Sequence, residues 1–133
     1  MEEPKTIYLA DDDADDRFLI KEAMNQVEPT VNFIEAENGA ELLDQIKNPD
    51  IPDPSLIMMD MNMPVMNGLE TIEAIRTDPK LDDVPAVMIS TSNDPVLETK
   101  AIKSGINTYF IKPNTFKGLI EIVQKLIHKF LSK

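Results

Sequence analysis

Five short apolar runs alternate with longer stretches of helical period along this chain, and that rhythm constrains the fold more than any other feature. The runs are Ile7-Tyr8-Leu9-Ala10, Val31 to Ala36, Leu56-Ile57-Met58-Met59, Ala86-Val87-Met88-Ile89 and Tyr109-Phe110-Ile111. Such alternation argues for βα units, because parallel strands need a crossover of a dozen or more residues and a helix supplies it. The first, third, fourth and fifth runs are apolar on both faces, as expected of strands covered by helices on either side. The second interleaves Asn32 and Glu35, which suits an edge. Right-handed crossovers then allow the order 2-1-3-4-5: an α/β fold, a doubly wound five-stranded parallel sheet with five helices.

The helices are legible from spacing and punctuation. The first begins near Asp13 and carries Phe18, Leu19, Ala23, Met24 and Val27. Asn38-Gly39 opens the second, with Leu42, Leu43 and Ile46 inward. Met63-Pro64 and Asn67-Gly68 mark a turn before the third, which bears Leu69, Ile72 and Ile75. Asn93 or Asp94 caps a fourth containing Leu97, Ala101 and Ile102, and Gly105 closes it. The last runs from about Thr115, with Leu119, Val123, Leu126, Ile127 and Phe130 in one stripe. The 133 residues read as one domain, 1–133, with a proline-rich loop at Asn48 to Pro54.

Composition narrows the function. The net charge of −11 argues against nucleic acid or an anionic membrane as partner, since both need a basic surface. There is no cysteine, so thiolate metal sites and disulfides are excluded. Met1-Glu2-Glu3 does not open a secretory signal and no apolar run approaches a membrane span, so the expected compartment is the cytoplasm.

Chemistry gathers where the strands end. Asp11-Asp12, Asp60, Ser90 and Lys112 follow four of the apolar runs, and in an open α/β sheet those ends share the ligand-binding edge. Order 2-1-3-4-5 makes the first and third strands neighbours, roughly 5 Å apart, so Asp11-Asp12 stand beside Asp60. Asp13, Asp15 and Asp16 are accounted for by a helix start, one capping and two favouring the positive dipole end. Asp11 and Asp12 are not, and a hard cation such as Mg²⁺ would relieve their repulsion with Asp60. Asp60 is the nucleophile candidate, since a carboxylate can accept a phosphoryl group. Mg²⁺ would bridge Asp60 and the incoming oxygens, Lys112 would add a positive charge, and Ser90 a hydroxyl donor.

Taken in order, Asp11-Asp12, Asp60-Met61-Asn62-Met63-Pro64 with Asn67-Gly68, Ser90-Thr91 and Lys112-Pro113 resemble the receiver domains of two-component response regulators, from Ile7 to the last helix. The resemblance implies a flavodoxin-like fold and a stand-alone receiver with Asp60 as phosphoacceptor. It implies that Asp12, Asp60 and the backbone carbonyl of Asn62 hold Mg²⁺, with Asp11 assisting through water. Ser90 and Lys112 would contact the phosphoryl group, Tyr109 would be the aromatic that moves inward with Ser90, and Lys112-Pro113 would be cis. The donor would be a sensor histidine kinase or a histidine phosphotransfer protein, and the output a contact with an unknown downstream protein. Turnover should be slow and self-catalysed rather than enzymatic, with Asn62 and Ser92 setting its rate. Two departures stand out: Ser90 replaces the commoner threonine, and Asn114-Thr115-Phe116 replaces an aromatic directly after Pro113. The longer proline-rich loop resembles stand-alone receivers that include partners of bacteriophytochrome kinases.

Other readings fit less well. A phosphatase using an aspartyl phosphate wants a second carboxylate where Asn62 stands. A flavin phosphate would be repelled by Asp11 to Asp16. A calcium loop of Asp11, Asp13, Asp15 and Glu22 meets Asp16 at its required glycine. A receiver-like module acting without phosphorylation is the remaining alternative. His128 reads as a solvent-facing residue, and Met58, Met59, Met61, Met63 and Met66 as core filler.

Overall fold

A computed structural model of the chain describes residues 4–131; Met1-Glu2-Glu3, read above for a leader, lie outside them. The elements run β1 (Thr6–Ala10), α1 (Ala14–Val27), β2 (Asn32–Ala36), α2 (Gly39–Lys47), β3 (Leu56–Met59), α3 (Gly68–Arg76), β4 (Ala86–Ser90), α4 (Pro95–Ser104), β5 (Thr108–Ile111) and α5 (Phe116–Leu126). All strand pairs are parallel, in the order β2-β1-β3-β4-β5 expected from the sequence.

Alternation along each central strand builds two cores. Tyr8, Ala10, Ile57, Met59 and Met88 face Leu42, Ile72, Ile75 and Ala101 of α2, α3 and α4. Ile7, Leu9, Met58, Val87 and Ile89 face Ile20, Met24, Leu119, Val123 and Leu126 of α1 and α5. Each fully buried large side chain contributes about 1.5–3 kcal/mol relative to exposure, and since both faces are apolar the register is set by the fit of each side chain to its own core.

The caps follow the sequence closely. Asp13, Asn38, Asn67, Asp94 and Thr115 each accept a backbone N–H from the first turn of the helix they open. Asn67 and Glu70 form a reciprocal capping box.

Four expectations are corrected. On α1 the buried stripe is Ile20, Ala23 and Met24, while Phe18 is 57% exposed and Leu19 also lies outward. At 100° per residue Phe18 lies roughly 160° from Ile20, so the two cannot share a face. On α4 Ile102 is exposed as well, and Ala101 alone is buried there. β5 is half-exposed, with Ile111 at 44%, because it is the sheet edge that no neighbouring strand covers. No peptide bond among the described residues is cis, so Lys112-Pro113 is trans, in keeping with the intrinsic preference of X–Pro bonds. Two short elements were not anticipated: a 3₁₀ turn at Pro79–Leu81 and a π-helical turn, Ile127–Leu131, that continues α5 and carries the exposed His128.

Candidate functional site

The sheet ladder continues one residue beyond the strands and thereby places the acidic tips. Asp11 N–H donates to the Ala36 carbonyl at 3.0 Å, Asp60 N–H to Ala10 at 3.0 Å, and Lys112 N–H to Ser90 at 2.8 Å. The turn after Asp60 is packed so closely that Gly68 is required. A Cβ there would stand 2.5 Å from the Asp60 carbonyl oxygen and 2.9 Å from Met61 Cα. Within that turn Val65 takes a φ of 67° and is 84% exposed, and the Met66 N–H donates to the Pro64 carbonyl across it. A β-branched residue at positive φ is strained by about 1–2 kcal/mol.

Carboxylate oxygens of Asp11, Asp12 and Asp60 all lie within 4.8 Å of one another. Asp11 is 1% exposed, Asp60 is buried, and Asp12 opens to solvent. Lys112 reaches across the sheet edge into this group. Its Nζ donates to Asp11 Oδ2 at 3.0 Å, Asp60 Oδ2 at 3.1 Å and Asp16 Oδ2 at 2.7 Å, so all three ammonium protons are matched by carboxylates. Asp60 Oδ1 accepts the Asn62 N–H at 3.3 Å, and Asp11 Oδ1 accepts the Asp13 N–H at 2.9 Å.

Burial pushes the Asp11 carboxyl above the usual aspartate range, and the Asp60 charge adds to this against the hydrogen bonds from Asp13 and Lys112. Burial would lower the Lys112 ammonium, but the bonds to Asp16 and Asp11 prevail and hold it well above the usual lysine value. Four carboxylates (Asp11, Asp12, Asp16 and Asp60) against one ammonium leave a strongly negative pocket of hard oxygen donors. Within it the Asp11, Asp12 and Asp60 oxygens form a donor set that fits Mg²⁺ or a similar hard divalent cation. Arg17, the nearest other cation in sequence, is committed elsewhere: its guanidinium donates to Glu35 at 3.0 Å and to the Asp11 carbonyl oxygen.

The structure thus brings Asp11, Asp12, Asp60 and Lys112 together. Ser90 stands at the end of β4, fully buried, with Oγ accepting the Ser92 N–H at 3.2 Å; no hydrogen bond joins it to Asp60 among the described residues. Tyr109 is partly buried against the α2–α4 core, and its hydroxyl donates to the Ser92 carbonyl at 2.8 Å. Asn62 is exposed and meets Asp60 through its N–H. Asp16 is the residue that sequence reasoning left to the helix dipole. A first-turn side chain leans back toward the helix N-terminus, here the sheet edge, and that tilt could have marked it as a partner for Lys112.

A parallel sheet of order 2-1-3-4-5 with three carboxylates and a lysine at its C-terminal edge is the arrangement expected of a receiver domain. The response regulator receiver domain family matches residues 7–124, and this chain belongs to that family. It is 32% identical over 122 residues to a chemotaxis protein CheY homolog of Campylobacter jejuni, covering 91% of each chain. It is 29% identical over 125 residues to the response regulator Rcp1 of Synechocystis, covering 91% of this chain and 85% of that one. Among solved structures it superposes with a TM-score of 0.89 on the phosphorylated cyanobacterial phytochrome response regulator RcpA, at 27% identity over 97% of this chain and 95% of that one. The Mn²⁺-bound form of response regulator Rcp1 gives 0.87 at 25% identity, covering 98% and 96%.

Proposed function

We propose that Asp60 accepts a phosphoryl group from the phosphohistidine of a sensor histidine kinase or a histidine phosphotransfer protein, in a Mg²⁺-dependent reaction that switches a protein-interaction surface. The observation that carries this reading is the 3.1 Å contact of Lys112 Nζ with an Asp60 carboxylate that also shares an oxygen cluster with Asp11 and Asp12. The phosphorylated state of RcpA and the Mn²⁺-bound state of Rcp1 support it.

In the transfer, an Asp60 oxygen forms a bond to phosphorus as the P–N bond to the donor imidazole breaks, and the bonding pair leaves with the imidazole nitrogen. Asp11, Asp12, Asp60 and the Asn62 carbonyl would hold the cation, which when bound neutralises charge on the phosphoryl oxygens. Lys112 supplies a fixed positive charge 3.1 Å from the Asp60 carboxylate, and burial of Asp60 limits water. The Asn62 amide is neither a general acid nor a general base, so hydrolysis of the acyl phosphate gains no acid–base help there.

The phosphoryl group carries about −1.5 to −2 at the end of β3, in place of the single negative charge of the Asp60 carboxylate. Ser90, Ser92 and Tyr109 are linked by two hydrogen bonds, from Ser92 N–H to Ser90 Oγ and from Tyr109 hydroxyl to Ser92 carbonyl. Turning the Ser90 hydroxyl toward the phosphoryl group releases the Ser92 N–H, and the change passes to Tyr109 and the face formed by α4, β5 and α5. This is a two-state element biased by local electrostatics.

Incubation with a small-molecule phosphodonor and Mg²⁺, followed by intact mass, tests the reading. One hydroxylamine-labile phosphoryl group is expected in the wild type and none in Asp60→Asn. An unmodified wild type would favour a module that works without phosphorylation, and continuous phosphate release would favour a phosphatase.

A further inference from the structure

The three carboxylates on Lys112 are of two kinds. Asp11 and Asp60 also belong to the oxygen cluster that suits a divalent cation, whereas Asp16 does not. Asp16 makes the shortest of the three contacts, 2.7 Å, from the first turn of α1, and keeps 34% of its side chain exposed. A dication entering the cluster draws on Asp11 and Asp60 and repels the ammonium they share. An ammonium left with only those two partners would be driven from Asp60 at the moment its charge is needed.

Resting on the phosphoacceptor reading above, we propose that Asp16 is a positioning residue, the private counter-ion of Lys112, which keeps the ammonium beside Asp60 while a divalent cation is bound. Its neighbour Asp15 separates this role from a generic one. Both aspartates lie in the first turn, where their charges favour the helix dipole, and both backbone N–H groups are capped by Asp13. Only the Asp16 carboxylate reaches Lys112. Loss of dipole stabilisation therefore follows from removing either charge, whereas loss of the lysine follows from removing Asp16 alone.

The decisive readout is the Lys112 ammonium itself. Protons held by three carboxylates exchange slowly, and in ¹⁵N-lysine-labelled protein they give an NMR signal that Lys112→Met identifies by its absence. In the wild type and in Asp15→Asn that signal persists through titration with Mg²⁺. In Asp16→Asn it is present without the metal and lost on Mg²⁺ saturation, and Asp16→Glu restores it in part. Survival of the signal in Mg²⁺-saturated Asp16→Asn overturns the proposal, as does its loss in the wild type or the lack of any protected signal there.

A double-mutant cycle on phosphorylation by the small donor gives a second readout. Asp16→Asn slows labelling about tenfold when Lys112 is present and less than about twofold in Lys112→Met. Equal slowing in both backgrounds overturns it, because Asp16 would then act without the lysine. A wild type that keeps its Lys112 signal under Mg²⁺ yet takes no phosphoryl group would remove the acceptor reading while supporting the pairing.

Discussion

The sheet edge has two halves held in different ways. At the tips of β1 and β3, Asp11 and Asp60 are buried and tied by Lys112, which reaches them from the tip of β5 and also bonds Asp16 of α1. In the loop beyond β4, Thr91, Asn93 and Asp94 are exposed, and bonds from Ser92 N–H to Ser90 Oγ and from the Tyr109 hydroxyl to the Ser92 carbonyl link the Ser90 side chain to that of Tyr109 on β5. The first half is an electrostatic clamp that must be preorganised for chemistry. The second is a lightly tethered strap, the kind of low-stability element that conformational signalling draws upon. Placing them side by side lets a charge added to one be felt by the other without disturbing either core.

The largest expected break in this division is Lys112→Ala. Phosphorylation by a small donor should fall roughly a hundred- to a thousandfold, comparable with losing a preorganised charge at a reacting oxygen. Time courses of intact mass check this; labelling at the wild-type rate would show that the clamp is not needed for chemistry. A smaller effect is expected of Tyr109→Phe, which removes one neutral hydrogen bond and should cost about 1 kcal/mol in urea unfolding. It should leave labelling of Asp60 nearly unchanged, and a large loss of labelling would mean that the two halves are one unit.

The smallest effect is predicted for Glu35→Gln on β2. Burial works to raise the Glu35 pKa, but Lys21 at 2.8 Å and Arg17 at 3.0 Å more than offset it and hold the carboxyl below the usual glutamate range. A folded pKa below the unfolded one contributes stability that is present above the ordinary glutamate value and fades as pH falls through the lowered one. Being partly exposed, the pairs contribute a few tenths to about 1 kcal/mol. The variant should flatten the acid limb of a stability–pH curve by that amount and coincide with wild type at the most acid pH. An unchanged acid limb would exclude Glu35 from it.

Much of this was readable in advance where the signal is local. The caps at Asp13 and Asp94, the wholly buried β1, β3 and β4, and the half-exposed Glu35-bearing edge follow from residue type and spacing. Asp16 was missed because a sufficient local explanation existed, while its partner lies 96 residues away. Phe18 and Leu19 were misplaced because α1 carries more apolar residues than one stripe can hold, so spacing alone leaves two rotations open. β5 looks like a central strand by composition, and its place at the end of the expected order 2-1-3-4-5, not its own residues, marks it as an edge.

The alternation that sorts Ile7 and Leu9 from Tyr8 and Ala10 has a last consequence for the adjacent acids that follow them. A slip of β1 by one residue would carry Asp12 into the station of Asp11, offering the open acid to the amine and drawing Asp11 into that of Ala10. The same slip would turn four strand side chains onto the opposite apolar layer, where misfitting volumes cost about 1–3 kcal/mol each. Miswired copies would therefore unfold before they could misfire, and the oily interior acts as proofreader for the signalling pocket.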